Sequence, residues 1–99
     1  MEALILAELA PDRASAILAR GRAFGESRMV CGAHSRSAVE AGWLAGAAAT
    51  AALHGSAAFR ADLEAARSEM VKVRASAPPP DAAICRAEAK ALSARVLPR

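Results

Sequence analysis

Arg28 and His34 are the two residues whose type and setting best suit chemistry. Arg28 falls on a predicted helix face that is otherwise apolar, with Ala14, Ile17, Gly21, Phe24 and Cys31. An arginine on such a face is costly to bury unless an anion or a carboxylate meets it. Its guanidinium could pair with an acid such as Glu26 or Glu40, or it could donate two hydrogen bonds to the oxygens of a phosphate.

His34 falls in a predicted loop between two helices. Gly32 is a natural helix end, and Ser37 with Glu40 three residues later has the pattern of a capping box that opens the next helix. A histidine in a loop is usually a plain surface residue, but this one precedes a helix N-terminus, whose free amides and dipole favour anions. From the residues alone, an ordinary salt bridge of Arg28 is slightly favoured, and the sharper alternative is an oxyanion site formed by Arg28 and His34.

The elements that position these residues follow from composition and from breaks in the chain. Hydrophobic residues make up 55% of the sequence, aromatic residues make up 3%, and tyrosine is absent, so helix formers dominate. We therefore expect an all-α fold, an antiparallel helical bundle. Helices are predicted over Met1–Leu9, from Pro11 to Gly32, from Ser37 through Leu53, from Phe59 to Val73, and after Asp81.

Two of these helices carry finer predictions. Apolar residues at three-four spacing predict a core stripe on the fourth helix, at Phe59, Leu63, Ala66, Met70 and Val73. Its outer face carries Arg60, Glu64, Arg67 and Glu69. Pro78–Pro80 forms a break, and Asp81 caps a last helix that contains Ile84, Leu92 and Val96.

Charge and hydropathy exclude several classes of partner. Thirteen basic and ten acidic residues are interspersed, without a basic run or aromatics to stack on bases, so we expect no nucleic-acid binding. Residues 41–53 are too short to span a bilayer, which takes about 20 residues, so we expect no membrane span. Within that stretch, Gly42 and Gly46 permit close helix contact in a soluble core. Residues 1–10 have no basic region before their apolar part, so we see no secretory signal.

The cysteines and histidines leave two possibilities open. Cys31, His34, His54 and Cys85 do not follow a recognised zinc spacing, so no metal site is predicted. The two cysteines form a disulfide if the chain is exported, or stay as reduced buried thiols if it is not.

The motif GESRMVCGAH at residues 25–34 resembles a known family. Ser27-Arg28, five residues and then His34 match the third signature, SRxxxxxHxxxD, of phosphatases of the phosphatidic acid phosphatase type 2 (PAP2) superfamily. The surrounding sequence, from about Ala3 to Met70, looks like the bacterial class A nonspecific acid phosphatases. The resemblance implies a partial PAP2/haloperoxidase-like fold, with residues 1–75 as the C-terminal part of the phosphatase domain, residues 76–80 as a break and residues 81–99 as a helical arm.

The same resemblance implies an activity and its residues. It implies hydrolysis of phosphate monoesters through a phosphohistidine intermediate, without a metal or other cofactor. His34 would be the nucleophile, Arg28 would bind equatorial phosphate oxygens, and Ser27 would donate a hydrogen bond to the same phosphate. Vanadium haloperoxidases share this site, and the GESR and CGAH context favours the phosphatase.

The sequence departs from the family pattern at several points. Ala38 stands where the family has an aspartate that orients the histidine, and the KxxxxxxRP and PSGH signatures do not occur in these 99 residues. We therefore expect a truncated chain that is inactive in isolation, and the alternative function is a non-catalytic helical remnant or interaction subunit. The core faces of such a chain require partners, so we expect it either to form a homo-oligomer or to be marginally stable. The family is periplasmic, whereas a chain without a signal would be cytoplasmic, and the leaving group of the substrate is not encoded here.

Overall fold

The computed structural model describes residues 1–93, and these form five α-helices joined by short turns. In chain order they are α1 (Glu2–Leu9), a 3-10 turn (Pro11–Arg13), α2 (Ala14–Val30), α3 (Arg36–Leu53), α4 (Ala57–Ser76) and α5 (Ala82–Ser93). Since these residues include no strand, the all-α prediction is confirmed. Val96, predicted for the last helix, lies outside the described residues.

Most helix ends coincide with residues that predict them. Pro11 opens the 3-10 turn before α2, where its missing N–H costs nothing. The Ser56 hydroxyl accepts a hydrogen bond from the Phe59 amide at 3.3 Å and so caps α4. As predicted, Asp81 caps α5, because its carboxylate accepts from the amides of Ala83 and Ile84 at 2.8 and 2.9 Å.

The start of α3 differs from the prediction. Ser35 is the N-cap, with its hydroxyl 3.2 Å from the Ala38 amide, and α3 begins at Arg36. The predicted capping box of Ser37 and Glu40 is therefore wrong. Ser35 is already extended, with φ −73° and ψ 161°, so its side chain reaches the free amides two residues before Ser37 could.

The helices pack through the short α1, which contacts α2, α3 and α4. Glycines permit two of these approaches: a Cβ added at Gly21 would lie 2.6 Å from Ala3 Cβ, and one at Gly46 would lie 3.0 Å from the Met1 nitrogen. The close contact predicted at Gly46 is therefore confirmed. A Cβ at Gly42 would meet no atom within 4 Å, so the same prediction for Gly42 is wrong.

Two arginines of α4 bond to the ends of neighbouring helices. Arg60 donates to the carbonyl of His54 after α3, and Arg67 donates to the carbonyl of Glu8 in the last turn of α1 at 3.3 Å. Arg67 is half-buried: one guanidinium nitrogen pairs with Glu64 at 2.7 Å on the predicted outer face, and the other reaches α1. The free carbonyls at a helix C-terminus attract such cations, so both hydrogen bonds favour this placement of α4.

The described part of the chain is open. Its radius of gyration is 15.7 Å, whereas a compact chain of this length has about 13 Å. The buried apolar residues are Ala10, Val39 and Leu63. Leu44 is 74% exposed, and Val73, which was predicted to face the core, is 53% exposed. No helix within residues 1–93 has the length and the apolar character that crossing a membrane requires.

Candidate active site

The site is built on the last turn of α2 and the loop that follows. Gly32 has a φ of 71°, a left-handed conformation that glycine adopts without strain. Its amide donates to the Met29 carbonyl at 3.1 Å, and the Ala33 amide donates to the Arg28 carbonyl at 3.0 Å, which together form a Schellman motif. The His34 amide donates to the same Arg28 carbonyl at 3.1 Å. The backbone of His34 is therefore fixed against that of Arg28.

Arg28 has no salt bridge to any acid of residues 1–93. The two acids that the sequence offered are engaged elsewhere: Glu26 pairs with Arg22 at 3.1 Å, and Glu40 lies 4.0 Å from Arg36. Arg28 is half-buried, so its charge lies close to the protein surface. Arg28 thus has no acidic partner in the described chain, so the salt bridge is not observed. Its guanidinium is available to bind an anion.

His34 is exposed beside the N-terminus of α3. Within the described residues, its imidazole makes no hydrogen bond with another side chain. Ala38 occupies the third position of α3, one turn beyond His34, and its methyl group supplies no acceptor for the ring. The nearest acid along the helix, Glu40, lies beside Arg36 instead. A free imidazole, an unpaired guanidinium and a helix N-terminus therefore lie at one end of the α2–α3 pair.

Ser27 points elsewhere. Its hydroxyl donates to the Phe24 carbonyl at 2.7 Å, and its side chain lines a cleft of about 480 Å³ between α2 and α5. Arg28 and His34 are not in that lining. The structure thus joins Arg28 and His34 through their backbones, and within residues 1–93 the Ser27 hydroxyl makes no hydrogen bond with either of their side chains.

The other cysteine and histidine candidates lie apart. His54 Nε2 is 3.0 Å from a carboxylate oxygen of Glu8, beside a second cleft of about 460 Å³. Cys31 and Cys85 are free and exposed, so neither is the buried thiol that the sequence suggested. Residues 1–93 contain no group of three or more histidine, cysteine or acidic side chains that could hold a metal ion.

Comparison with known proteins gives relatives along most of the chain. This chain is 55% identical over 89 residues to an acid phosphatase of Zymomonas mobilis. The alignment covers 90% of this chain and 34% of the relative. The chain is 38% identical over 72 residues to a non-specific acid phosphatase of Providencia stuartii and 44% identical over 68 residues to one of Salmonella typhimurium. These alignments cover 73% and 69% of this chain, and 29% and 27% of the respective relatives.

The chain is homologous to a segment of acid phosphatases. It spans about a third of the length of the curated relatives that it matches. No family model matches the sequence. No solved structure matches it either.

The segment GESRMVCGAH at residues 25–34 also contains a packing contact that the sequence analysis did not predict. A Cβ added at Gly25, the first residue of the motif, would lie 2.7 Å from Trp43 Nε1. The guanidinium of Arg22 lies over the same indole, 5.4 Å from its centroid. Gly21 and Gly25 have the same four-residue spacing on α2 as Gly42 and Gly46 on α3, and that spacing was the signal that could have revealed the contact.

Proposed function

We propose that this chain carries the nucleophilic and phosphate-binding part of an acid phosphatase site that hydrolyses phosphate monoesters. His34 is the nucleophile, Arg28 binds the phosphate oxygens, and Ser27 supports the same group if its hydroxyl turns away from Phe24. The observation that carries the proposal is the shared carbonyl of Arg28, which accepts the amides of both Ala33 and His34. This carbonyl fixes the His34 backbone beside the last turn of α2, which carries Arg28, in a chain whose relatives are named acid phosphatases.

The chemistry needs little beyond positioning and charge. A ring nitrogen of His34 attacks phosphorus, the P–O ester bond breaks, and the alkoxide or phenolate leaves with the electron pair. Water then attacks phosphorus, the P–N bond breaks, and inorganic phosphate leaves while His34 is restored. Through both steps, the guanidinium of Arg28 and the free amides at the start of α3 stabilise the negative charge on the transferring group.

A complete site requires groups that these 99 residues do not contain. The resemblance assigns the protonation of the leaving group to the histidine of PSGH, and a second phosphate clamp to KxxxxxxRP. We propose that polypeptide corresponding to the rest of the relatives' length supplies both. Leu44, Ile84 and Phe24, which are 74%, 68% and 65% exposed, are apolar surface on which such polypeptide would pack.

The same exposed residues support a second candidate, a non-catalytic subunit that packs on another chain. The two functions differ in whether His34 accepts a phosphoryl group. An activated ester separates them, because a good leaving group departs without protonation and so bypasses the missing acid.

The experiment is to incubate the chain with 2,4-dinitrophenyl phosphate and to detect the phosphorylated residue by mass spectrometry. We expect dinitrophenolate release and phosphorylation at His34. Both should vanish in His34→Ala and persist in His54→Ala, which removes the other of the two histidines. Equal labelling of all three proteins, or none in any of them, would refute a nucleophilic role and leave the subunit function.

A further inference from the structure

The loop at residues 31–35, which holds His34, is the tip of a helical hairpin formed by α2 and α3. Close to this tip the two helices touch at Gly25 and Trp43. An added Cβ at Gly25 would lie 2.7 Å from Nε1 and 3.0 Å from two carbon atoms of the Trp43 indole. Real Cβ atoms essentially never come closer than 3.0 Å to another heavy atom. The indole therefore lies directly on the backbone of α2.

Other residues of α2 hold the indole in this place. The Arg22 guanidinium lies 5.4 Å from the centroid of the Trp43 ring, a cation–π contact. The Nε of Arg22 also lies 3.1 Å from a carboxylate oxygen of Glu26, which limits the freedom of the guanidinium. Trp43 is thus seated between a glycine and a tethered cation of the same helix.

The position of this contact connects it to the site. Gly25 lies one turn before Arg28 on α2, and Trp43 lies two turns after Arg36, the first residue of α3. The hydrogen bonds to the Arg28 carbonyl fix the backbone of His34, but they do not fix the direction of α3. The contact between Trp43 and Gly25 joins α2 and α3 on this side of the hairpin, and it constrains the direction in which α3 leaves the tip.

We infer that Trp43, seated on Gly25, is a positioning residue for the Arg28–His34 site. It sets the N-terminus of α3 against the guanidinium so that both can reach the same phosphate. This inference rests on the proposed function, because it assigns the contact a purpose in phosphate binding. A displacement of about 1 Å between such groups is enough to lower their joint effect by one or two orders of magnitude.

Two glycines of α2 give a matched test. Gly25→Ala forces the indole away by most of an ångström to restore the 3.4 Å of an ordinary contact. Gly21→Ala produces the same crowding one turn earlier on the same helix, 2.6 Å from Ala3 Cβ, but against α1 instead of α3. Both variants should melt at lower temperature. Only Gly25→Ala should weaken the binding of inorganic phosphate in calorimetric titration, by about tenfold.

A double variant separates positioning from general stability. Trp43→Ala should also weaken phosphate binding, and Gly25→Ala should cost nothing further in the Trp43→Ala background, because the methyl group then has no indole to displace. Equal affinities for Gly25→Ala and Gly21→Ala would overturn the inference. If Gly25→Ala does not fold, Trp43→Phe, with its smaller ring, takes its place in the comparison.

Failure of the proposed function would look different, because the unsubstituted chain would then bind no phosphate. In that case the position of the α3 N-terminus is measured without a ligand, from the ¹H–¹⁵N chemical shifts of the first α3 amides. Gly25→Ala should shift the signals of Arg36, Ser37 and Ala38, and Gly21→Ala should leave them in place. Unchanged signals in Gly25→Ala would overturn the inference by themselves.

Discussion

Ala38 offers a gain-of-function test of the account. It is the third residue of α3, one turn beyond His34, and its amide is already held 3.2 Å from the Ser35 hydroxyl. Ala38→Asp places a carboxylate on that turn, where it can accept the ring N–H of His34 and hold the other ring nitrogen free for attack. Loss of such an orienting carboxylate lowers turnover by about 10⁴ in the serine-protease triad. At this exposed position, where water competes for the ring N–H, we expect a smaller gain, of about one to two orders of magnitude.

The assay is the single-turnover rate of dinitrophenolate release, compared between Ala38→Asp and Ala38→Asn. The asparagine has the same shape but no charge, so it controls for packing. The aspartate also favours the positive end of α3, by about 0.3–1 kcal/mol, and should raise the melting temperature slightly. A rate that stays constant in Ala38→Asp, or that rises equally in Ala38→Asn, would refute the reasoning that His34 is a nucleophile whose rate is limited by the missing orienting carboxylate.

Three further predictions concern the fold that holds the site. Gly32→Ala should destabilise the chain by about 1–2 kcal/mol in chemical denaturation, because a side chain is strained at a φ of 71°; an unchanged midpoint would contradict the Schellman motif. The Arg74 guanidinium, 2.8 and 2.9 Å from the Asp12 carboxylate, lowers the pKa of Asp12 below its usual 3.8. The ion pair therefore stabilises the fold above pH 3.8, and this stabilisation is lost as the pH falls through the lowered pKa. In Asp12→Asn the melting temperature should depend less on pH below about pH 4 than it does in the unsubstituted chain. Cys31 and Cys85 are free and exposed, so both should react with Ellman's reagent without denaturant; a thiol that reacts only after unfolding would contradict this.

The sequence predicted the local features well because local chemistry decides them. Proline, glycine and aspartate set helix ends by their own dihedral angles and side-chain acceptors, and the ends at Pro11, Gly32 and Asp81 follow that rule. The N-cap of α3 failed because two serines compete, and Ser35 is the one that the end of α2 leaves extended.

Tertiary placement was harder to predict. Arg67 has the spacing of a solvent-facing residue, yet it reaches the carbonyl of Glu8, 59 residues away in sequence. Val73 continues an apolar stripe but is 53% exposed, since the described part of the chain places too little over it. For the site, Arg28 and His34 remain predictions from the motif. The motif did not predict the orientation of Ser27, because a hydroxyl that bonds its own helix looks the same in sequence as one that binds a ligand.

The central claim is that Arg28, beside His34, binds phosphate. It is tested most directly by calorimetric titration of inorganic phosphate into the chain, Arg28→Gln and Arg86→Gln. Arg86→Gln removes an exposed arginine of α5 that has no ion pair within residues 1–93, so it controls for the change in net charge. We predict saturable binding that weakens by about 10- to 100-fold in Arg28→Gln, the loss of charged hydrogen bonds, and that persists in Arg86→Gln. Absence of saturable binding by the chain, or equal affinities for the two variants, would contradict the account.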